Sequence, residues 1–161
     1  MNTKILSVEQ LAKRAEEIRR EGRKLVLTNG CFDLLHVGHV RYLEQARELG
    51  DFLVIAVNGD ESVRALKGVG RPITPEAERA EVLAALACVD FVTIFHRQRA
   101  TEVIEAVRPA IYVKGGDYTA QSLNPEELAA LKRVEAAVEI LPLVAGKSTS
   151  ALLKRFCQPN E

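Results

Sequence analysis

An excess of charge of either sign is missing: 22 Lys and Arg stand against 22 Asp and Glu, for a formal net charge of zero. No global field therefore draws the chain to nucleic acid or to an anionic membrane, and any basic site must be local. Long hydrophobic runs are missing as well. An apolar stretch such as Phe52 to Val57 falls far short of the ~20 residues that a helical membrane span needs. The first residues are too charged for a signal peptide, so a cytoplasmic protein is expected, with neither nucleic acid nor membrane as partner. Cysteine is scarce. Cys31, Cys88 and Cys157 make an odd set without metal-ligand spacing, which points to reduced thiols in a reducing compartment. Repeats, low-complexity tracts and linkers are also absent from the sequence. What remains is an ordinary globular composition, 47% hydrophobic and 27% charged over 161 residues. That length predicts a single domain spanning 1–161, with no room for a separate kinase, regulatory or membrane domain. Such a domain can bury about two-thirds of its unfolded surface.

Ser7 can cap a helix in which Val8, Leu11, Ala12, Ala15 and Ile18 recur at helical spacing, with Gln10 completing a capping box and Gly22 ending the lead-in segment 1–22. A short strand, Lys24 to Thr28, follows, then a glycine-containing loop and a helix from Val37 to Leu49 stopped at Gly50. Phe52 to Val57 is apolar on both faces, as a central parallel strand covered on each side must be. The alternation continues with a helix near Glu61 to Leu66, a Gly and Pro loop from Lys67 to Thr74, and a helix opened by Pro75 and running to Ala87. Strand Phe91 to Phe95, helix Thr101 to Val107, strand Ile111 to Val113, helix Pro125 to Val134, strand Val138 to Leu141 and helix Thr149 to Phe156 complete it. This pattern predicts an α/β fold: a doubly wound five-stranded parallel sheet with right-handed crossovers and helices on both faces. Ligands of such sheets bind at the carboxyl ends of the strands near the topological switch point, so chemistry is expected in the loops after the first, second, fourth and fifth strands.

The first of these loops reads Thr28-Asn29-Gly30-Cys31-Phe32-Asp33-Leu34-Leu35-His36-Val37-Gly38-His39. His36 and His39 stand three apart at a helix start, on one face of the first turn and beside free backbone N–H groups and the positive dipole end. That combination suits an anion, and Gly38 between them lets a phosphate approach the backbone closely. Two histidines at this position are also read as caps or packed rings. A metal site lacks a third His or Cys at ligand spacing, so no metal ligand is assigned.

The stretch TNGCFDLLHVGH resembles the cytidylyltransferase-like nucleotidyltransferases, whose signature is His-x-Gly-His between a strand and a helix. The resemblance implies a Rossmann-like fold in which His36 and His39 bind the nucleotide triphosphate and stabilise the transition state at its α-phosphorus. It extends over nearly the whole chain. Val57-Asn58-Gly59-Asp60-Glu61-Ser62-Val63 through Lys67-Gly68 is similar to the second-strand loop, where a lysine neutralises phosphates. Gly70-Arg71-Pro72-Ile73 with Arg79 resembles the substrate loop and helix arginine. Val113-Lys114-Gly115-Gly116-Asp117-Tyr118 resembles the nucleotide loop typical of the branch that adenylates D-glycero-β-D-manno-heptose 1-phosphate. Gly146-Lys147-Ser148-Thr149-Ser150 resembles the triphosphate-binding start of the last helix.

By this resemblance His36, His39 and Lys67 are catalytic. Nucleotide contacts fall to Thr28, Asn29, Gly30, Cys31, Phe32, Asp33 and Gly38 in the first loop, and to Lys114, Gly115, Gly116, Asp117, Ser148 and Thr149 further on. Asn58, Asp60, Arg71 and Arg79 contact substrate, and Asp33 is a candidate for orienting a histidine. ATP, Mg2+, a sugar 1-phosphate and a homodimer are the implied substrates, cofactor and assembly. Blander readings remain beside these. Lys67, Arg71 and Arg79 read equally as surface charges, Ser148 to Ser150 as helix caps, Gly115-Gly116 as a turn and Cys31 as a small apolar filler. Within the family, a cytidylyltransferase acting on an alcohol phosphate such as glycerol 3-phosphate, or an FMN adenylyltransferase, is the alternative; outside it stands a nucleotide-binding module without catalysis. One segment departs from the branch. Where acidic residues and Thr-Pro are usual, this chain has His96-Arg97-Gln98-Arg99-Ala100-Thr101, read as an acceptor contact, a subunit contact or solvated surface.

Overall fold

The computed structural model describes residues 3–116, 119, 122–142 and 149–156. Helix α1 (Val8–Arg20) opens on the expected box: the Gln10 N–H donates to Ser7 Oγ at 3.2 Å and the Ser7 N–H to Gln10 Oε1 at 2.9 Å. There follow β1 (Leu25–Gly30), α2 (Val37–Glu48), β2 (Phe52–Asn58), α3 (Asp60–Lys67), α4 (Glu76–Ala84), β3 (Phe91–Phe95), α5 (Thr101–Val107), β4 (Ile111–Gly115), α6 (Pro125–Arg133), β5 (Ala137–Leu141) and α7 (Thr149–Phe156). All five strands are parallel, in the order β3-β2-β1-β4-β5. The chain thus builds outward from β1 to β3 and returns through α5 to the other side of β1. The switch point lies between the carboxyl ends of β1 and β4, where backbone polar groups splay apart.

Period-2 alternation sorts the core into two layers. Leu25 and Leu27 of β1, Val54 and Ala56 of β2 and Tyr112 of β4 pack with α1, α5 and α6. Val26, Leu53, Ile55, Val57 and Val113 pack with Tyr42, Leu43 and Ala46 of α2 and with Ala80, Leu83 and Ala84 of α4. Both faces of the sheet are therefore covered, each buried aliphatic side chain contributing roughly 1.5–3 kcal/mol of transfer free energy.

Three bounds differ by two residues or more from the sequence expectation. β1 runs on to Gly30 and β4 to Gly115, because backbone pairing continues past the last apolar side chain: Asn29 pairs with Ala56, and Gly115 with Leu141. Helix α4 ends at Ala84 rather than Ala87, giving way to tight turns in which the Leu86 N–H donates to Leu83 O and the Val89 N–H to Leu86 O. Residues 4–6, unassigned by periodicity, lie along the outer edge of β3, with the Leu6 N–H donating to Val92 O and the Val92 N–H to Lys4 O, both at 2.9 Å. Gly50 does more than stop a helix. A Cβ there would lie 2.7 Å from Val26 Cγ2 and 3.0 Å from Lys24 O, so the α2–β2 turn closes against β1 only without a side chain.

Candidate active site

A cleft of about 840 Å3 opens at the switch point, lined by the ends of β1, β2 and β4 and by the starts of α2, α6 and α7. The sheet edge forms its floor. On one side stand the α2 and α7 starts, and on the other the loop into α5 and the start of α6.

His36 is not inside α2 but caps it, in extended backbone with φ −143° and ψ 170°. Its Nδ1 accepts the Gly38 N–H at 3.1 Å, and His39 Nδ1 accepts the His36 N–H at 3.4 Å. The capping box is thus built from two imidazoles, with ring centroids 3.9 Å apart. The reading of the two histidines as caps therefore holds. A nitrogen that accepts from the backbone carries no hydrogen, so each neutral ring holds its proton on Nε2, the far end of the ring. Phe32 turns its ring onto His39 at 5.5 Å through a left-handed backbone, φ 46°. Gly30 accommodates that ring: a Cβ there would meet Phe32 Cε2 at 3.0 Å.

Burial, aided by the neighbouring His36, lowers the His39 pKa to about 4. Unfolded histidine titrates near 6.5, so between those values the unfolded chain binds a proton that the folded chain does not, and stability must fall as pH falls through this window. Urea unfolding at pH 7, 5.5 and 4.5 is expected to show that loss. His39→Asn, which leaves nothing to titrate, should flatten this part of the profile.

Asp33 does not orient a histidine. Its carboxylate, with a side chain 1% exposed, accepts from the Ile73 and Thr74 N–H groups at 2.9 Å and from Arg71 Nε at 2.5 Å. Burial pushes its pKa up, yet the Thr74 and Ile73 amides and the Arg71 guanidinium outweigh burial and hold it below the ordinary carboxylate value. Asp33 therefore fixes the loop that brings Arg71 to the cleft. Arg79, the other arginine of that segment, is neither on the surface nor on the lining. It is fully buried and donates to Thr74 O, Cys31 O and Asn58 O and to Asp60 Oδ1, at 2.6–2.9 Å, which ties the first loop, the end of β2 and the starts of α3 and α4 together. Asp60, engaged with Arg79, likewise stays off the lining.

Thr28 lies under the floor. Its Oγ1 is 2.7 Å from the Tyr42 hydroxyl, which donates to Val113 O at 3.1 Å, a bridge from β1 through α2 to β4. Burial pushes the Tyr42 hydroxyl up to about 12, so it remains a protonated donor. Asn29, which lines the cleft, accepts the Tyr112 hydroxyl on its Oδ1 at 2.5 Å. Gly30, Cys31, Gly38, Asn58, Gly115 and Thr149 also line the cleft, and Thr149 Oγ1 donates to Leu34 O at 3.2 Å, which docks α7 beside the histidines. Gly116 turns away with φ 80°, its N–H donating to Leu141 O. Burial raises the Cys31 thiol pKa, as suits a filler rather than a nucleophile. Asp117 and Ser148 lie outside the described residues, as do Tyr118, Gly146, Lys147 and Cys157.

Lys67, at the exposed end of α3, lines the cleft with Arg71, Lys114 and Arg99. Among the described lining residues these four cations face two carboxylates, Asp33 and Glu127. A chain with no net charge thus gathers positive charge at the carboxyl ends of its strands, an arrangement that suits an anion. Sequence reasoning missed Glu127, and only the unusual sign of residues 96–99 drew attention to that loop. The structure divides it. His96 Nδ1 lies 3.8 Å from Glu76 and Arg97 faces Glu102 at 3.9 Å, away from the lining, whereas Gln98 and Arg99 enter the cleft.

Among the described residues no helix is long and apolar enough to cross a membrane. In comparison with known proteins, the chain is 47% identical over 160 residues to the bifunctional protein HldE of Syntrophotalea carbinolica (strain DSM 2380 / NBRC 103641 / GraBd1), covering 99% of this chain and 32% of that protein. It is 48% identical over 158 residues to the bifunctional protein HldE of Geotalea uraniireducens (strain Rf4), covering 96% and 31%. The chain thus spans about a third of the length of the curated relatives it matches. Among solved structures, the lipopolysaccharide core biosynthesis protein from Thermoplasma volcanium GSS1 superposes with a TM-score of 0.63 and 29% identity over 76% of this chain and 98% of that one. A pantoate-beta-alanine ligase from Francisella tularensis shares the fold, with a TM-score of 0.59 at 11% identity over 94% of this chain and 72% of its own. Residues 27–155, from the first strand to the last helix, match one family as a continuous unit, and the chain belongs to it: the cytidylyltransferase-like family.

Proposed function

We propose that the chain transfers AMP from ATP to a sugar 1-phosphate, D-glycero-β-D-manno-heptose 1-phosphate, giving ADP-heptose and pyrophosphate. The observation that carries this reading is the reciprocal histidine cap, which presents two Nε2–H donors beside the α2 start in a cleft with excess positive charge. Binding alone does not call for donors so placed; charge developing on a phosphoryl group does. A phosphate oxygen of the acceptor attacks the α-phosphorus, the bond to the bridging oxygen of pyrophosphate breaks, and no covalent enzyme intermediate forms. The chain aligns two anions in line and holds their charge. His36 and His39 donate to oxygens on the α-phosphorus, Lys67 and Arg71 offset repulsion between the substrates, and Thr149 with the α7 start holds the leaving phosphates. Mg2+ would enter with ATP and would supply charge neutralisation at the phosphates. Asp33 and Asp60 are already engaged by Arg71 and Arg79, and among the described residues no three His, Cys, Asp or Glu side chains converge.

The heptose acceptor is supported by the Val113-Lys114-Gly115-Gly116-Asp117-Tyr118 loop and by the near-complete span of similarity to the HldE proteins. Pyrophosphate release, followed with ATP and CTP in turn against sugar 1-phosphates and glycerol 3-phosphate, tests it. Turnover with ATP and heptose 1-phosphate is expected; turnover with CTP and glycerol 3-phosphate alone would replace this reading by its family alternative. Lys67→Ala is expected to lower turnover and weaken phosphate-substrate binding by at least tenfold each in the same assay, whereas a solvated lysine would leave the kinetics unchanged. A cytoplasmic homodimer acting as a single catalytic domain completes the reading, and light scattering measures the assembly.

A further inference from the structure

We infer that Glu127 is the cleft's acceptor for a sugar hydroxyl, one carboxylate oxygen holding the chain and the other left for the ligand; the identity of the sugars rests on the transfer reaction proposed above. The placement follows from helical spacing. Asn124 caps α6 by accepting the Glu126 N–H at 2.9 Å, and Pro125 opens the first turn. Glu127 stands three and four residues before Ala130 and Leu131, which pack in the layer of α1, α5 and α6. Its side chain therefore extends the buried face of α6 to the end of the helix that meets the cleft. There its Oε1 accepts the Ala100 N–H at 2.9 Å, which ties the starts of α5 and α6 together.

Glu127 is 5% exposed and lines the cleft. Among the described residues its second oxygen accepts no hydrogen bond, and no cation forms an ion pair with it. Nor is that oxygen sealed in the interior, where the side-chain polar atoms left without a partner are Thr93 Oγ1 and Thr101 Oγ1. It therefore faces the cleft. Glutamine would serve the Ala100 N–H as well without burying a charge, so the chain's own hydrogen bonding does not account for a carboxylate at this place. A carboxylate accepts and repels phosphate, which leaves a hydroxyl or an amine on a neutral part of a ligand. The amine of a base does not fit the surroundings. Bases seat on aromatic faces, and among the described lining residues Phe32 and Tyr42 belong to the α2 side. Glu127 shares its side with Gln98, Arg99 and Asn124, on the loop into α5 and the start of α6. Polar neighbours of this kind suit a sugar hydroxyl, which both substrates of the proposed reaction carry, on the ribose of ATP and on the ring of the sugar 1-phosphate.

Glu127→Gln tests the assignment, because its amide oxygen can still accept the Ala100 N–H while its NH2 cannot accept from a hydroxyl. Glu127→Met, of similar volume and without a strong acceptor, is measured beside it, and thermal melts verify folding. Two calorimetric series distinguish the sugars: ATP against 2′-deoxy-ATP and 3′-deoxy-ATP, and a sugar 1-phosphate against its monodeoxy analogues in the presence of α,β-methylene-ATP. In one series the wild type should bind the complete ligand about 10- to 100-fold more tightly than one deoxy analogue, the range for a hydrogen bond to a charged group. Both variants should bring that ratio to within about threefold. Loss of the ratio with ATP assigns Glu127 to the ribose, and loss with the sugar 1-phosphate assigns it to the acceptor. A wild type indifferent to every missing hydroxyl overturns the assignment, as do folded variants that bind more weakly yet keep the wild-type ratios in both series. If the wild type releases no pyrophosphate with any sugar 1-phosphate, adenylyl transfer fails instead, and the binding ratios with ATP and its deoxy analogues still decide the role of Glu127.

Discussion

Replacement of His36 or His39 by alanine is expected to lower turnover by about two to three orders of magnitude, the range for removing one donor from developing phosphoryl charge. Alanine also removes a cap, because each Nδ1 accepts a backbone N–H of the first turn, and about 1 kcal/mol of stability goes with it. Two losses in one variant would blur the interpretation. Asparagine separates them, since its Oδ1 falls near the Nδ1 position while nothing replaces Nε2. His39→Asn should therefore melt close to the wild type and turn over as slowly as His39→Ala. Glutamine, whose amide reaches the Nε2 position, should recover part of the rate at the expense of the cap. Steady-state pyrophosphate release with melting curves on the three variants checks this, and wild-type turnover in a folded His39→Asn would remove His39 from the chemistry.

Arg79→Leu is expected to cost about 3–5 kcal/mol of folding stability, since each inward carbonyl left without its donor costs about 1–3 kcal/mol. The guanidinium serves three carbonyl oxygens and the Asp60 carboxylate from a fully buried position. Leucine leaves these carbonyls without their donor and unties the first loop from the end of β2 and the start of α3. Lysine offers one charged group in place of a planar fork, so Arg79→Lys should recover only a fraction. Urea unfolding monitors both variants. Wild-type stability together with lost acceptor affinity would instead return Arg79 to the substrate contact that family resemblance implies.

Elements whose signal is local were legible without coordinates. The capping box at Ser7, the apolar runs of β2 and β3 and the stop near Gly50 depend on neighbours within a turn or a pleat, and they stand within a residue or so of their expected places. The histidine pair was legible for the same reason: three residues of spacing suffice to set one ring against the other. Even there, which nitrogen faces the backbone awaited the N-cap geometry of His36.

Roles that depend on chain crossovers were not legible. Asp33 finds its donors 38 to 41 residues away, and Glu127 meets the Ala100 N–H across 27, separations over which no periodicity carries information. Arg79 lies on an amphipathic helix where spacing alone permits a solvated side chain; its burial follows from the loops of β1 and β2 closing over α4. Residues 96–101 form one short segment, yet their places diverge because the chain turns across the sheet there, leaving Arg97 with Glu102 and bringing Gln98 and Arg99 to the cleft. Periodicity therefore set which face of each helix and strand is apolar. The order in which parallel crossovers placed the strands decided which charges share a cleft, because Coulomb and hydrogen-bond energies depend on distance in space and not on separation along the chain.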